Sequence, residues 1–127
     1  MTSYAKSIDK TEPMQGVKFS ATVGSGGVTA GQPVKMDTTT NTVIASTTTS
    51  DVIVGIARDT VSAAGVVTVL SDGCLVLVPY TLTCGSKVGV GTSGTAGTLV
   101  DYSTGSTVGF TVQSATLASV VRVQIQY

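Results

Sequence analysis

Histidine and tryptophan are absent from this 127-residue chain, aromatic residues make up 5% of it, and only 11% of residues carry charge, against roughly 25% in ordinary soluble domains. Without histidine there is no common general base, no Ser-His-Asp or Cys-His catalysis and no imidazole metal ligand. Most hydrolase chemistry is excluded with it. With so few aromatic rings, little is available to stack a sugar or a base, so a carbohydrate-binding module fits poorly. Seven acids balance seven bases. A nucleic-acid binder needs a basic stripe to displace counterions from phosphates, and Lys6, Lys10, Lys18, Lys35, Arg58, Lys87 and Arg122 are scattered along the chain. No nucleic acid is expected as a partner.

Long apolar runs are also missing. Nothing approaches the roughly 18 consecutive apolar residues of a membrane helix, and Met1 to Lys10 has no apolar core like that of a signal peptide. The expectation is a soluble protein made in a cytoplasm, with no membrane partner. Cys74 and Cys84 lie too far apart for a Cys-x-x-Cys redox or zinc site, and no other soft ligand completes a tetrahedral shell. Two buried thiols are expected, and a disulfide between them stays open, although a cytoplasmic origin argues against it. No metal and no cofactor is predicted.

What is present points one way. Val and Thr supply about a third of the residues, and both are stiff, β-branched side chains that suit a pleated sheet better than a helix. Leu, Ile, Val and Phe together reach about a quarter, enough for a folded chain. Short β-prone runs recur from Val17 onward at intervals of about ten residues, separated by Gly, Ser, Thr, Asp or Pro. They are Val17–Val23, Pro33–Asp37, Thr42–Ala45, Val52–Ala57, Val66–Leu70, Cys74–Val78, Lys87–Val90, Thr98–Tyr102, Val108–Val112 and Ser119–Tyr127. The predicted fold is all-β: a small barrel or sandwich built from about ten short strands. In the last run Val121, Val123, Ile125 and Tyr127 alternate with Arg122, Gln124 and Gln126, as a strand with one wet face requires. Cys74-Leu-Val-Leu-Val78 is apolar on both faces, so it must be covered twice, once by the domain core and once by another element or subunit.

The chain repeats itself at a spacing of 54 residues. Gly31-Gln-Pro-Val34 corresponds to Gly85-Ser-Lys-Val88, Val54-Gly-Ile56 to Val108-Gly-Phe110, and Val67-Thr-Val69 to Val121-Arg-Val123. Thr42-Val-Ile44 and Thr98-Leu-Val100 lie 56 apart because one turn is two residues longer, a mild perturbation. Chance matching in a Gly-, Val- and Thr-rich chain is the alternative. The organisation read from this is an extended N-terminal arm, residues 1–15, followed by one β domain, 16–127, made of two half-repeats at about 28–72 and 82–127. The arm's few apolar residues, Tyr4, Ile8 and Met14, make no core, so it is either disordered or ordered by lying on another surface.

Candidate chemistry fails on context. Gly89-Val-Gly-Thr-Ser-Gly94 matches the dinucleotide-binding G-x-G-x-x-G, but the following residues offer glycine and β-branched side chains in place of a helix, and no acid stands about 20 residues on. It reads as a β-turn. Paired carboxylates could serve a glycosidase, yet Asp37, Asp51 and Asp72 sit in turn-like contexts and are better explained as turn formers. No catalytic residue is predicted, the chain is not expected to be an enzyme, and no small-molecule substrate is expected. Thr and Ser, about 28% of residues, give a neutral wet surface with little charge repulsion. A neutral chain with windows such as Val52-Ile-Val-Gly-Ile56 is prone to associate through edges and patches, and assembly resolves that risk.

The stretch Gly26-Gly-Val-Thr-Ala-Gly-Gln-Pro-Val-Lys-Met-Asp37, with Thr42-Val-Ile-Ala45 and Asp51-Val-Ile-Val-Gly-Ile-Ala57, resembles the small capsid decoration, or cement, proteins of tailed phages. Gly85-Ser-Lys-Val88 and Val108-Gly-Phe110 extend the likeness into the second half, and the first half is also similar to the lambda-type head decoration protein. The resemblance covers roughly residues 17–127 and rests on common residue types. It implies a β-tulip-like version of the all-β fold and a non-enzymatic virion protein that binds the outer surface of an expanded icosahedral capsid as a homotrimer, with the major capsid protein of a tailed phage as partner. It also implies a capsid-contacting arm, which places Tyr4, Ile8, Pro13 and Met14 on the shell. A structural β module of a phage tail or fibre is the alternative, and a carboxylate-dependent enzyme a remote one.

Overall fold

A computed structural model of the chain describes residues 16–39, 41–92 and 97–125. Among them the secondary structure is all β: β1 (Lys18–Val23), β2 (Pro33–Met36), β3 (Thr42–Ala45), β4 (Ile53–Ala57), β5 (Val66–Leu70), β6 (Leu75–Val78), β7 (Lys87–Val90), β8 (Leu99–Asp101), β9 (Thr107–Gln113) and β10 (Ser119–Val123). Each β-prone run of the sequence is a strand: five are trimmed by one or two residues where turn chemistry begins, three keep their bounds, Val108–Val112 gains a residue at each end, and the last strand stops at Val123. Strands β1 to β5 close a barrel in the order β1-β3-β2-β4-β5, and β6 to β10 form a second sheet in the order β6-β10-β9-β7-β8.

The 54-residue spacing reappears in the backbone. In the barrel Gly31 N–H donates to the Ala57 carbonyl (2.9 Å), Ala57 N–H to Gln32 (2.9 Å) and Gln32 N–H to Thr29 (3.0 Å). In the sheet Gly85 donates to Thr111 (2.8 Å), Thr111 to Ser86 (3.0 Å) and Ser86 to Thr83 (3.1 Å). Gly31 and Gly85 open these turns at φ of +90° and +86°, a region that side chains with a Cβ rarely occupy. The β2–β4 ladder pairs Pro33 with Ile56 and Val34 with Gly55, then bulges; the β7–β9 ladder pairs Lys87 with Phe110 and Val88 with Gly109, then bulges at the same place. The Val-Gly-apolar motif has a steric reason. A Cβ on Gly55 would lie 2.6 Å from the Leu70 carbonyl oxygen of β5, and one on Gly109 would fall on the Arg122 carbonyl oxygen of β10.

One correspondence shifts. Ile56 pairs with Leu70 while Phe110 pairs with Arg122, so the last strands of the halves match at 52 residues, and Val69 corresponds to Val121. The shift is even, which keeps every side chain on its own face.

Two apolar clusters fill the molecule. Ala21, Val23, Val28, Val34, Val43, Ala57, Val67 and Val69 fill the barrel. Val76, Val78, Leu82, Val88, Val90, Leu99, Val108, Val121, Val123 and Ile125 line the second sheet, and there Ile53 and Ile56 of the barrel strand β4 join them. β4 therefore serves both cores. Val121, Val123 and Ile125 are buried and Gln124 is exposed, as the alternation of the last run predicts.

Two expectations need correction. Cys74 is buried but Cys84 is exposed, and both are free thiols; Cys84 sits in the turn closed by Ser86 N–H on the Thr83 carbonyl, ahead of β7, where the described residues leave it open to solvent. The strand after Cys74 is covered on one face by the described residues: Val76 and Val78 point into the core, whereas Leu77 is 68% exposed. In the G-x-G-x-x-G stretch, Gly89 and Val90 belong to β7 and pair with β8, the described residues after them hold no helix, and Ser93 and Gly94 fall outside the described residues. The arm, with Tyr4, Ile8, Pro13 and Met14, also lies outside them.

Candidate docking surface

An apolar groove of about 450 Å³ runs along β6. One wall is the barrel, through Ala30, Gly31, Ala57, Arg58 and Leu70; the other is β6 itself, from Leu75 to Pro79, and Leu117 and Ala118 close one end. β6 pairs with β10 on one side and with no named strand on the other. Leu77 and Leu117 are each 68% exposed, among the most exposed large apolar side chains of the described residues. Arg58 is the single charged residue of the lining, and its Nε donates to the neighbouring Asp59 carboxylate (3.0 Å). A strand edge beside an apolar groove is a surface that another extended segment can cover, with main-chain bonds for affinity and apolar contacts for register.

The groove follows from two local sequence features. Alternation of a four-residue strand made wholly of Leu and Val must put two of its side chains outward. Pro79 then ends the strand because it has no N–H to continue a ladder, and its ring packs against Gly31, where a Cβ would lie 2.8 Å from Pro79 Cδ. The doubly apolar run is legible in the sequence. Leu117 is not, because Ser114-Ala-Thr-Leu-Ala118 reads as an ordinary loop.

The described carboxylates are tied into the architecture. Asp37 accepts from Thr38 N–H (2.8 Å), and Asp72 accepts from Ile125 N–H (3.1 Å), fastening the end of the chain to the β5–β6 turn. Asp51 accepts from Lys35 Nζ (3.0 Å), Ser46 Oγ (2.8 Å) and Thr48 N–H (3.3 Å). Burial pushes the Asp51 pKa up, but these hydrogen bonds and the Lys35 charge outweigh it and hold the carboxyl at about 2. Asp101 accepts from Thr83 twice, N–H at 2.9 Å and Oγ at 2.6 Å, which lowers its pKa. Each of these carboxylates thus accepts at least one hydrogen bond from a turn, a loop or a cation. Asp37, Asp51 and Asp72 are placed where the turn-former reading puts them, although Asp72 bonds across to the chain end instead of within its own turn.

Comparison of the chain with protein-family models and with curated protein sequences gives no match. Comparison with solved structures gives the crystal structure of the head fiber gp8.5 N base in bacteriophage phi29, at 18% sequence identity and a TM-score of 0.57, covering 87% of this chain and 98% of that one. At that identity the shared property is the fold. The lambda-type likeness in particular gains no support from these comparisons.

Proposed function

We propose that this chain is a structural protein of a phage virion that binds the exterior of an expanded icosahedral capsid and stabilises it as a decoration, or cement, protein. The observation that carries the reading is the all-β fold it has in common with a phage head fiber base over nearly the whole of both chains. On this reading the chain is not an enzyme, takes no cofactor, meets the major capsid protein and assembles as a homotrimer on the outer shell. The composition supports it: a neutral, Thr- and Ser-rich surface that keeps exposed Val and Leu side chains suits assembly better than solution life.

The work is additive. Interfaces of ordinary size, about 1,600 Å² in total, range from micromolar to picomolar affinity, and repetition over a shell resists internal pressure without strong single contacts. Binding only after expansion is selection by the lattice: the site exists when capsid subunits have rearranged, so the protein does not hinder that rearrangement. The test is co-sedimentation with expanded and unexpanded shells of the source virus, counting bound copies per capsid subunit. Saturable binding to expanded shells alone, at a fixed ratio, is the expected result; no binding to either overturns it.

A second reading, a structural module of a phage fibre or tail, is favoured by the structural neighbour, which is the base of a head fiber. The ratio separates the two, since a cement protein covers the lattice whereas a fibre or tail module occupies few positions. Particle labelling shows which.

A further inference from the structure

The groove along β6 has a candidate occupant on the same chain. Gly16, the first described residue, packs directly on Cys74, the residue before β6: a Cβ on Gly16 would lie 2.5 Å from Cys74 N. Val17 N–H donates to the Asp72 carbonyl (2.8 Å), and Ser71 N–H donates to the Val17 carbonyl (2.7 Å), so the entry to β1 is fixed at this point. Leu75, one residue beyond Cys74, and Leu70, the partner of Lys18, line the near end of the groove. Residues 1–15 therefore leave the described structure at the mouth of the groove. An extended chain advances about 3.3 Å per residue, so four residues are enough to run the length of β6.

The chemistry matches. Glu12-Pro-Met-Gln15 holds a flexible apolar side chain two residues before Gly16 and an acid four before it. The groove offers Leu75 and Leu77 to the first and Arg58, its single charged lining residue, to the second. Methionine fills irregular apolar clefts well, and proline is tolerated in an edge strand. Tethering decides between this chain and a neighbour: a segment attached beside its site meets it at an effective concentration of the order of millimolar.

We propose that Glu12–Gln15 lies along β6 of its own chain and fills the groove, with Met14 against Leu75 and Leu77 and Glu12 facing Arg58. β6 thereby gains the second cover that its doubly apolar sequence requires. The proposal does not depend on the capsid reading. It divides the arm, leaving Tyr4 and Ile8 to project from a fixed root and assigning Pro13 and Met14 to the protein itself.

The test is disulfide trapping in the isolated full-length protein, with exposed Cys84 replaced by Ser. Met14→Cys combined with Leu77→Cys should close an intramolecular disulfide at monomer mass at least about tenfold faster than Thr2→Cys combined with Leu77→Cys, because only the near pair is pre-positioned. Amide exchange of the Leu75–Val78 segment, measured on the chain without cysteine substitutions, should accelerate about tenfold or more when residues 1–15 are deleted. Equal rates for the two pairs, or unchanged exchange in a deletion variant that still melts cooperatively, overturns the proposal. A disulfide-linked dimer as the main product also overturns it and assigns the groove to the arm of a second copy. None of these readouts involves a capsid, so failure here and failure of the cement reading are separable.

Discussion

Two halves with the same strand order end differently: the first closes into a barrel and the second stays open. In the first, β1 reaches past β5 to pair in parallel with β3, through Thr22 with Thr42 and Val23 with Val43, and Thr22 N–H donates to the Asn41 carbonyl (2.9 Å). In the second, the ladders place Leu75 where Lys18 stands, since Lys18 pairs with Leu70 and Leu75 with Arg122. Four residues on, Thr22 is matched by Pro79. The donor that closes the barrel is missing from its counterpart. The chain leaves the sheet at Pro79, one side of β6 is paired with no strand among the described residues, and the groove lies along it. A proline at one register position thus separates a sealed half from one that presents a surface.

The comparison breaks most severely at the paired glycines. Gly109→Ala places a Cβ on the Arg122 carbonyl oxygen, and relief requires strand β10 to move; the expected loss is about 3 kcal/mol or more in chemical denaturation. Gly55→Ala, with its clash against Leu70 and Val69, should follow closely. Because Ile53 and Ile56 of the first half are buried in the core of the second, each variant should melt in a single transition shifted as a whole. Two separate transitions would show that the halves are independent units.

A smaller effect centres on Asp51 in the first half. Asp51 has a pKa of about 2 against an ordinary 3.8, so the folded chain holds that proton less readily than the unfolded one. Its stabilisation is complete above the ordinary value and is lost as pH falls through 3.8 toward about 2. The size is about 1–2 kcal/mol, read as a fall in urea midpoint between about pH 5 and about pH 2. Asp51→Asn should flatten that part of the profile. An equally steep profile in the variant assigns the acid sensitivity elsewhere.

Much of this is legible in the amino-acid sequence itself. Period-two runs mark the strands because one face of each must be apolar, and the repeat shows in Gly31/Gly85, where a positive φ disfavours a Cβ, and in Gly55/Gly109, where a neighbouring carbonyl leaves no room for one. What sequence does not carry is pairing between distant strands. The parallel β1–β3 link, the two-residue shift between Val67–Val69 and Val121–Val123, and the dual service of β4 all depend on contacts across the fold. Cys84 illustrates the same limit, since its neighbours in sequence give no sign that nothing covers it. The groove was half legible: Leu75 and Leu77 announce a face in need of cover, while the barrel wall of Gly31, Ala57 and Arg58 comes from far along the chain.

A change of opposite sign sharpens the comparison. Ala57 of the barrel corresponds to Thr111 of the sheet, which is 1% exposed and whose hydroxyl has no hydrogen-bond partner among the described residues. An unsatisfied buried hydroxyl is destabilising, and valine keeps its shape without the polar atom. Thr111→Val should raise stability by about 1 kcal/mol in denaturant titration, whereas a loss would mean that the hydroxyl serves a partner in the assembled state.

The smallest effect concerns how the open half is held at its far edge. β8 ends in Asp101, and its counterpart in the barrel is Ala45. Where the barrel joins β1 to β3 through backbone bonds, the second half fastens the chain beyond Pro79 to β8 through a side chain, with Thr83 donating twice to the Asp101 carboxylate. An exposed clasp of this kind adds little to global stability, because water replaces it readily. It should nevertheless govern local opening. Asp101→Ala is therefore expected to leave the denaturation midpoint almost unchanged while the Thr83 amide exchanges about tenfold faster, with the Thr22 amide unaffected. If Thr83 keeps its protection without the carboxylate, the second half is held shut by its core alone, and the clasp is an ornament of the turn.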